Sequence, residues 1–225
     1  LDDGKKVLLD CGMFQGLGKE TDVMNRDLGF EPNELDAVIL SHAHIDHSGL
    51  LPALVKEGRL KKIFCTPPTK DLATLLMEDS AGIQASDINY LNKRRKNEGK
   101  PLLEPLYSEE DALAASALLE PVGYQQWFEV VEGLECMFTD AGHIIGSACV
   151  HLRCPHSGKT THLTFSGAIG RYNDAILKHP ETFPQADFII MESTYGNSLH
   201  EDVFSSIETL LKFITTTCLK KKGKL

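Results

Sequence analysis

Residues 37–49 read AVILSHAHIDHSG, in which four apolar residues lead directly into three histidines and an aspartate. The apolar run has the length and composition of a buried strand. The following cluster contains His42, His44, Asp46 and His47, four potential metal ligands within six positions. A solvated polar loop does not need so many ligands at the end of a buried strand. The stretch therefore predicts one half of a metal site at the carboxyl end of a strand.

The spacing of the histidines predicts how the ligands are shared. In an extended or looping backbone, alternate side chains point the same way, so His42 and His44 can reach one ion. Asp46 and His47 can then face a second ion close by. Imidazole nitrogen suits zinc, and a carboxylate supports a second hard or borderline cation. We expect His143, between two glycines in a turn predicted to join two strands, to complete the first site.

The composition limits the class of protein. Of the 225 residues, 42% are hydrophobic and 24% charged, as is typical of a globular domain. A net charge of −9 argues against a generic nucleic-acid coat protein, although not against a nucleic-acid enzyme with a local basic surface or bound metal. The six cysteines contain no CxxC pair, which predicts reduced, mostly buried thiols and a cytoplasmic protein. No apolar run approaches the roughly 18 residues of a membrane span.

Strands and helices alternate along the first half of the chain. Strands are predicted at 5–10, 35–40 and 61–66, and helices at 48–58, from 69 to about 90, and at 108–121 with Ser108 as N-cap. The long helix is expected to use Leu72, Leu75, Leu76 and Ile83 as one apolar side, and residues 91–101 to form a polar connector that contains the basic run KRRK. This mixture indicates an α/β or α+β fold.

The second half of the chain has a different pattern. After Tyr124, four strand-length pieces separated by glycine or turn residues indicate a meander. Residues 186–194, ADFIIMEST, predict another buried strand, and residues 201–221 predict an amphipathic helix.

Five motifs carry a resemblance to a known family. They are LLDCG (8–12), SHAHIDHSG (41–49), DAGHIIGSA (140–148), FSGAIGR (165–171) and MESTYG (191–196). Their order and form resemble the metallo-β-lactamase fold and, more narrowly, its β-CASP branch of RNA- and DNA-processing hydrolases, with ESTYG favouring that branch over lactamases, glyoxalases and lactonases. The resemblance implies an incomplete αββα sandwich over residues 1–185 and the start of an inserted β-CASP domain at 186–225.

The resemblance also implies roles for individual residues. Asp10 would orient the histidine loop by hydrogen bonding. His42, His44 and His143 would hold the first zinc, and Asp46 and His47 the second, with Asp46 also positioning the attacking water. Glu192 resembles the acidic residue that positions a late catalytic histidine. The implied reaction is two-metal hydrolysis of a phosphodiester in single-stranded RNA, or in DNA.

Ala168 departs from the family pattern. The family places there an aspartate that bridges both metals, and a methyl group coordinates nothing. We therefore expect one tightly bound zinc, a second zinc that is weak or absent, and an impaired activity. The alanine is either a deliberate inactivating substitution or natural variation. Because family members also extend beyond both ends of this chain, the resemblance implies an N-terminal fragment of the fold.

Three functions stay open at this point. The first is an RNA-processing metallo-hydrolase. The second is a single-zinc hydrolase of small esters, lactones or β-lactams. The third is a non-catalytic partner subunit of an RNA-processing complex, which Ala168 would suit. Exposed sheet edges invite pairing with another chain, which predicts a homodimer or a partner subunit. No membrane partner is expected.

Overall fold

The computed structural model describes residues 1–16, 18–58, 60–156, 158–172, 174, 176–198 and 203–224. The chain divides into two compact units, Leu1–Glu192 and Ser193–Leu225. In the described residues, no helix is both long enough and apolar enough to cross a membrane. The predicted domain boundary between residues 185 and 186 stays a prediction.

The first sheet of the larger unit is parallel, in the order β1-β2-β3-β4. Its strands are β1 (Val7–Leu9), β2 (Ala37–Ile39), β3 (Ile63–Cys65) and β4 (Leu119–Pro121). Leu8 lies opposite Val38, and Val38 opposite Ile63. Connections between parallel strands need a crossover, and here helices supply it. The helices are α1 (Lys19–Arg26), α2 (Ile45–Ser48), α3 (Leu51–Glu57), α4 (Pro67–Asn97) and α5 (Glu109–Ala117).

The second sheet is the predicted meander followed by one parallel strand. Its order is β5-β6-β7-β8-β9, antiparallel up to β8 and parallel between β8 and β9. The strands are β5 (Phe128–Val131), β6 (Leu134–Asp140), β7 (Ala148–His156), β8 (Lys159–Phe165) and β9 (Phe188–Ile190). The four-strand meander is confirmed.

Two apolar cores hold these layers together. Val38 of β2 belongs to the core beneath the helices, with Leu54 and Met77, whereas Ile39 belongs to the core between the two sheets, with Phe138. Because β2 is covered on both faces, its residues form a continuous apolar run. The layers in the described part of residues 1–192 are thus helices, parallel sheet and second sheet. The prediction of a mixed α/β fold is confirmed.

Several local predictions are confirmed. Ser108 caps α5, since its side chain accepts from Asp111 N–H while the Asp111 carboxylate accepts from Ser108 N–H. All six cysteines are free, and four of them are buried. The first predicted helix, residues 48–58, corresponds to α3, which ends at Glu57, directly before Gly58.

The predicted polar connector after residue 90 is wrong, because α4 continues to Asn97. No glycine or proline interrupts the chain between Ile83 and Gly99, and lysine and arginine are good helix formers whose charge suits a helix C-terminus. The Asn92 side chain also bonds both backbone groups of Leu103, which ties the returning chain to the helix.

The expected apolar side of α4 is also partly wrong. Leu75 and Ile83 are 63% and 56% exposed, while Ala73, Met77 and Ala81 are buried. Spacing of four residues places these three on one face, and the alanines allow the helix to approach the sheet closely. Residue size at the contact, not hydrophobicity alone, decides which face is buried.

The prediction of a buried last strand is wrong as well. Phe188, Ile189 and Ile190 of β9 are 61%, 54% and 50% exposed. The strand exists and pairs with β8, but it is the edge of its sheet. The strand has the apolar composition of a buried strand, but among the described residues nothing covers these three side chains.

The smaller unit contains the predicted C-terminal helix. It is α6 (Val203–Ile214), followed by a π-helical stretch, Thr215–Lys220. Residues 201 and 202, where the helix was predicted to begin, lie outside the described residues.

Candidate metal centre

The polar residues singled out in the sequence meet where strands of both sheets end. Asp10 follows β1, and its N–H donates to Ile39 C=O of β2 at 3.0 Å. The turn that carries His143 joins β6 to β7, and Ala148 N–H at its end donates to Ser41 C=O at 2.9 Å. The histidine loop after β2 is therefore held from both sheets.

His42, His44 and His143 form one cluster of ligand atoms. His44 Nδ1 lies 3.2 Å from His42 Nε2 and 3.1 Å from His143 Nε2. A tetrahedral zinc with nitrogens at about 2.0–2.1 Å separates those nitrogens by roughly 3.3 Å. The three atoms are thus spaced as ligands of one ion, and the donor set fits zinc.

The tautomer of His42 follows from its neighbours. Ser41 Oγ donates to Asp10 Oδ2 at 2.7 Å and lies 3.0 Å from His42 Nδ1. Since the hydroxyl proton is used on Asp10, the serine oxygen accepts from His42 Nδ1–H, which leaves Nε2 bare toward the cluster. Burial first, and then the neighbouring histidines, lower the pKa of His42 to about 2, so the ring is neutral, as a metal ligand must be.

Hydrogen bonds within the turn fix the backbone of His143. Its backbone N–H and that of Ile144 both donate to Ser147 Oγ, at 3.0 and 3.2 Å. Gly142, just before it, has φ +64°, a conformation that glycine adopts without strain. Burial and the nearby His44 lower the pKa of His143, which again favours the neutral ring.

Asp10 organises the other side of the histidine loop. Its carboxylate accepts from Ser41 N–H at 2.7 Å, from the Ser41 hydroxyl at 2.7 Å and from His47 Nδ1–H at 2.6 Å. Burial acts to lower the pKa of His47, but the hydrogen bond and charge of Asp10, aided by Asp46 and Glu192, outweigh it and the pKa is raised. With Nδ1 committed to Asp10, the nitrogen that His47 can offer a metal is Nε2.

Asp46 and His47 lie together, with Asp46 Oδ2 at 3.7 Å from His47 Nε2. The Asp46 side chain is 66% exposed. A second group of clustered ligand atoms contains Asp10, His42 and His47 instead. Because the Asp10 carboxylate already accepts three hydrogen bonds, an orienting role suits it better than metal ligation. The assignment of Asp46 and His47 to a second ion stays a prediction.

The loop that carries Ala168 lies against both halves of the cluster. A side chain added at Gly167 would meet Ser41 at 2.9 Å, and one added at Gly170 would meet Gly142 C=O at 1.7 Å. Residue 168 is therefore held between the histidine loop and the His143 turn. Alanine at this position offers no ligand atom.

Glu192 supports this loop. Its backbone N–H donates to Ser166 Oγ at 3.1 Å, and its Oε1 accepts from Ile169 N–H at 3.0 Å. The carboxylate thus reaches the residue next to Ala168 from the end of β9. The charge of Glu192 also acts to raise the pKa of His47 and of His143.

Comparison with known proteins identifies the family. The model of the metallo-beta-lactamase superfamily matches residues 1–153. The chain belongs to the metallo-beta-lactamase superfamily. Membership implies metal binding, and the three-histidine cluster is a donor set that fits it.

Two similar proteins are both longer than this chain. Ribonuclease TTHA0252 of Thermus thermophilus is 34% identical over 222 residues, 99% of this chain and 46% of that protein. Transcription termination factor FttA of Methanosarcina mazei is 31% identical over 225 residues, 97% of this chain and 32% of that protein. A solved subclass B3 metallo-beta-lactamase from a soil metagenome library is 17% identical, with a TM-score of 0.41, over 72% of this chain and 52% of that one. The chain thus spans about half and about a third of the two named relatives.

Two features of this site were not predicted from the sequence. Ser41 and Ser147 orient the metal-ligand loops, and their only sequence signal is that each lies within a ligand motif. A cavity of about 750 Å³ also opens beside Asp46 and His47. Residues from three separate segments, 9–15, 46–47 and 165, line this cavity, so no local sequence pattern could have indicated it.

Proposed function

We propose that the chain carries part of the active centre of a metal-dependent ribonuclease of the β-CASP branch, acting on single-stranded RNA in the cytoplasm. The observation that carries the proposal is the convergence of His42 Nε2, His44 Nδ1 and His143 Nε2. The ribonuclease and termination-factor names of the relatives support RNA as the substrate. On this proposal, residues 1–185 belong to the metallo-β-lactamase domain and 186–225 begin the β-CASP domain.

His42, His44 and His143 would hold one zinc tightly, and Asp46 with His47 would hold a second weakly. When bound, such ions supply Lewis-acid stabilisation of charge on the phosphate and acidify water. Asp46, exposed toward the cavity, would orient the attacking water through its carboxylate. Asp10 would keep His47 Nε2 available, and Glu192 would hold the loop of residue 168 in place.

The proposal is tested by restoring a carboxylate with Ala168→Asp. We expect one zinc per chain in the original protein and two in the variant, measured by elemental analysis after dialysis. Cleavage of a labelled single-stranded RNA should rise by orders of magnitude, since each metal role is worth several kcal/mol. Ala114→Asp adds the same charge on the exposed face of α5 and should change neither quantity.

Two outcomes would count against this proposal. Two tightly bound zinc ions in the original chain would contradict the assignment of the weak site to the loss at residue 168. RNA cleavage that survives His44→Ala and chelation would contradict a metal-dependent centre.

Ala168 also supports a second candidate, a non-catalytic subunit that keeps the fold and binds RNA beside an active partner. It predicts RNA binding without cleavage in both the original chain and the Ala168→Asp variant. A single-zinc hydrolase of small molecules predicts instead that a chromogenic ester or lactam is hydrolysed without residue 168 being changed, in a reaction abolished by His44→Ala.

A further inference from the structure

An exposed aromatic residue, Phe14, is one of the residues that line the cavity beside Asp46 and His47. Its lining residues are Leu9, Asp10, Gly12, Met13, Phe14, Gln15, Asp46, His47 and Phe165. One end, at Asp46 and His47, belongs to the metal centre, and the walls leading away from it are largely apolar. None of these nine residues is lysine or arginine. They favour a ligand with a flat apolar part and with its charge directed toward the metals.

Phe14 has a fixed backbone and an exposed side chain. Phe14 N–H donates to Asn25 Oδ1 at 2.7 Å, and Asn25 Nδ2 donates to Phe14 C=O at 3.0 Å. Asn25, on α1, is 5% exposed, whereas Phe14 is 46% exposed. A buried amide that satisfies both backbone groups of one loop residue sets the position from which its ring projects.

The loop before Phe14 is tied to the metal centre itself. Met13 N–H donates to Ile45 C=O at 2.9 Å, and Cys11 N–H donates to His47 C=O at 2.7 Å. Any side chain at Gly12 would overlap Asp46 C=O, at 1.6 Å. The backbone that carries Phe14 therefore has a set relation to the Asp46–His47 pair.

We propose that Phe14 is a stacking platform for a nucleobase of single-stranded RNA, next to the phosphate that the metal centre binds. The inference rests on the proposed function and names the base-binding part of the same site. Every base has a face that can stack on an aromatic ring, so such a platform positions the strand without reading its sequence. It would supply base recognition in an acidic chain whose cavity-lining residues include no lysine or arginine.

The test uses the 225-residue chain with zinc and a set of single-stranded RNAs that carry 2-aminopurine at successive positions. Stacking on an aromatic ring quenches this base, so one position should lose fluorescence on binding. Phe14→Leu should restore that fluorescence and weaken binding by roughly 5- to 100-fold, measured by anisotropy. Phe14→Trp keeps an aromatic surface and should retain both the quench and the affinity.

Matched controls separate stacking from loss of fold or of the ribonuclease site. Phe30 is 38% exposed and does not line the cavity, so Phe30→Leu should leave affinity and quench unchanged. An abasic RNA at the quenched position should remove the difference between Phe14→Leu and the original chain. RNA binding with the same affinity and quench in Phe14→Leu overturns the platform alone. No RNA binding by the original chain overturns the proposed function and the platform with it.

Discussion

Asp10 shows how much of the centre depends on one residue that need not touch a metal. It has φ +58°, in the left-handed region that aspartate tolerates better than most residues. That conformation turns its carboxylate toward three donors, two from Ser41 and one from His47. Through Ser41 it sets the tautomer of His42, and directly it sets that of His47, so one carboxylate acts on ligands of both proposed ions.

Asp10→Asn should therefore weaken zinc binding without removing a ligand. The amide accepts at only one atom, and its NH₂ group faces donors from Ser41 or His47. We expect zinc affinity to fall roughly 10- to 100-fold, as for other partners that orient metal ligands. Competition with a chromogenic chelator measures it, and Asp87→Asn on the exposed face of α4 is the control. An unchanged affinity would show that Asp10 does not act through the histidines.

At the scale of residues, the sequence predicts which histidines come together better than it predicts which residues hold them in place. His42, His44 and His143 could be named because few structures other than a metal site need those side chains at that spacing. Ser41 and Asn25 could not, because their hydrogen-bond partners, Asp10 for Ser41 and Phe14 for Asn25, lie next to them only in the folded chain. The positive φ of Asp10 likewise could not be predicted from the sequence.

At the scale of elements, the centre depends on a close approach of the loop after β1 to α2. Gly12 allows this approach, since an added Cβ would lie 1.6 Å from Asp46 C=O and 2.8 Å from His47 N. Backbone atoms of a helix that carries two proposed ligands cannot yield without moving those ligands. Glycine is thus required at residue 12 because a side chain would overlap α2, and not because of its backbone conformation.

Gly12→Ala should lower the free energy of unfolding by at least about 2 kcal/mol and reduce zinc affinity together. Gly82→Ala is a matched control, because its Cβ would come no closer than 3.8 Å to Glu109 Oε1. Since alanine favours a helix interior, that control should raise the free energy of unfolding by about 0.5–1 kcal/mol. Chemical denaturation and chelator competition measure both effects. Equal stability of the two variants would contradict the close approach.

The second sheet carries a buried histidine with no metal role. His151 of β7 is 2% exposed and lies 2.8 Å from Thr139 Oγ1 of β6 and 3.0 Å from Thr164 Oγ1 of β8. Burial lowers the pKa of His151 from 6.5 to about 4. The unfolded chain therefore takes up this proton first as the pH falls.

It follows that His151 contributes stability above pH 6.5, and that this contribution is lost as the pH falls toward 4. The loss amounts to roughly 3 kcal/mol. Urea denaturation across this range, without metal, should show a shallower pH dependence in His151→Gln than in the original chain. His162→Gln, on β8 at a position whose side chain is 43% exposed, should keep the original slope. Parallel slopes in all three proteins would contradict a buried neutral His151.

The secondary structure shows where local sequence stops being informative. The meander and the Ser108 cap were predictable because alternation and capping depend on neighbouring residues. The end of α4 was not, because a polar sequence with no breaker leaves the helix and a connector equally open until Asn92 meets Leu103. The exposure of β9 was not either, since burial depends on what else covers a strand.

At the scale of the whole molecule, β9 stands out in the larger unit because it is an edge strand with exposed apolar side chains. Three large apolar residues stand exposed on an edge strand that pairs with β8 on one side. Edge strands with exposed apolar side chains are templates for pairing with another chain. Phe188, Ile189 and Ile190 follow one another without a charged residue or a proline between them, so the strand lacks two of the features that protect an edge.

We therefore expect the 225-residue chain to self-associate through β9 as its concentration rises. Ile189→Lys places a charge in the middle of the strand and should shift the protein toward monomer, since lysine on an edge opposes strand pairing. Ile176→Lys adds the same charge at a position that is 89% exposed but outside any strand, and it should leave self-association unchanged. Light scattering coupled to gel filtration measures the mass of each. If both variants behave alike, hydrophobic exposure in general, and not strand pairing at β9, drives the association; a monomeric original chain at every concentration would contradict the prediction outright.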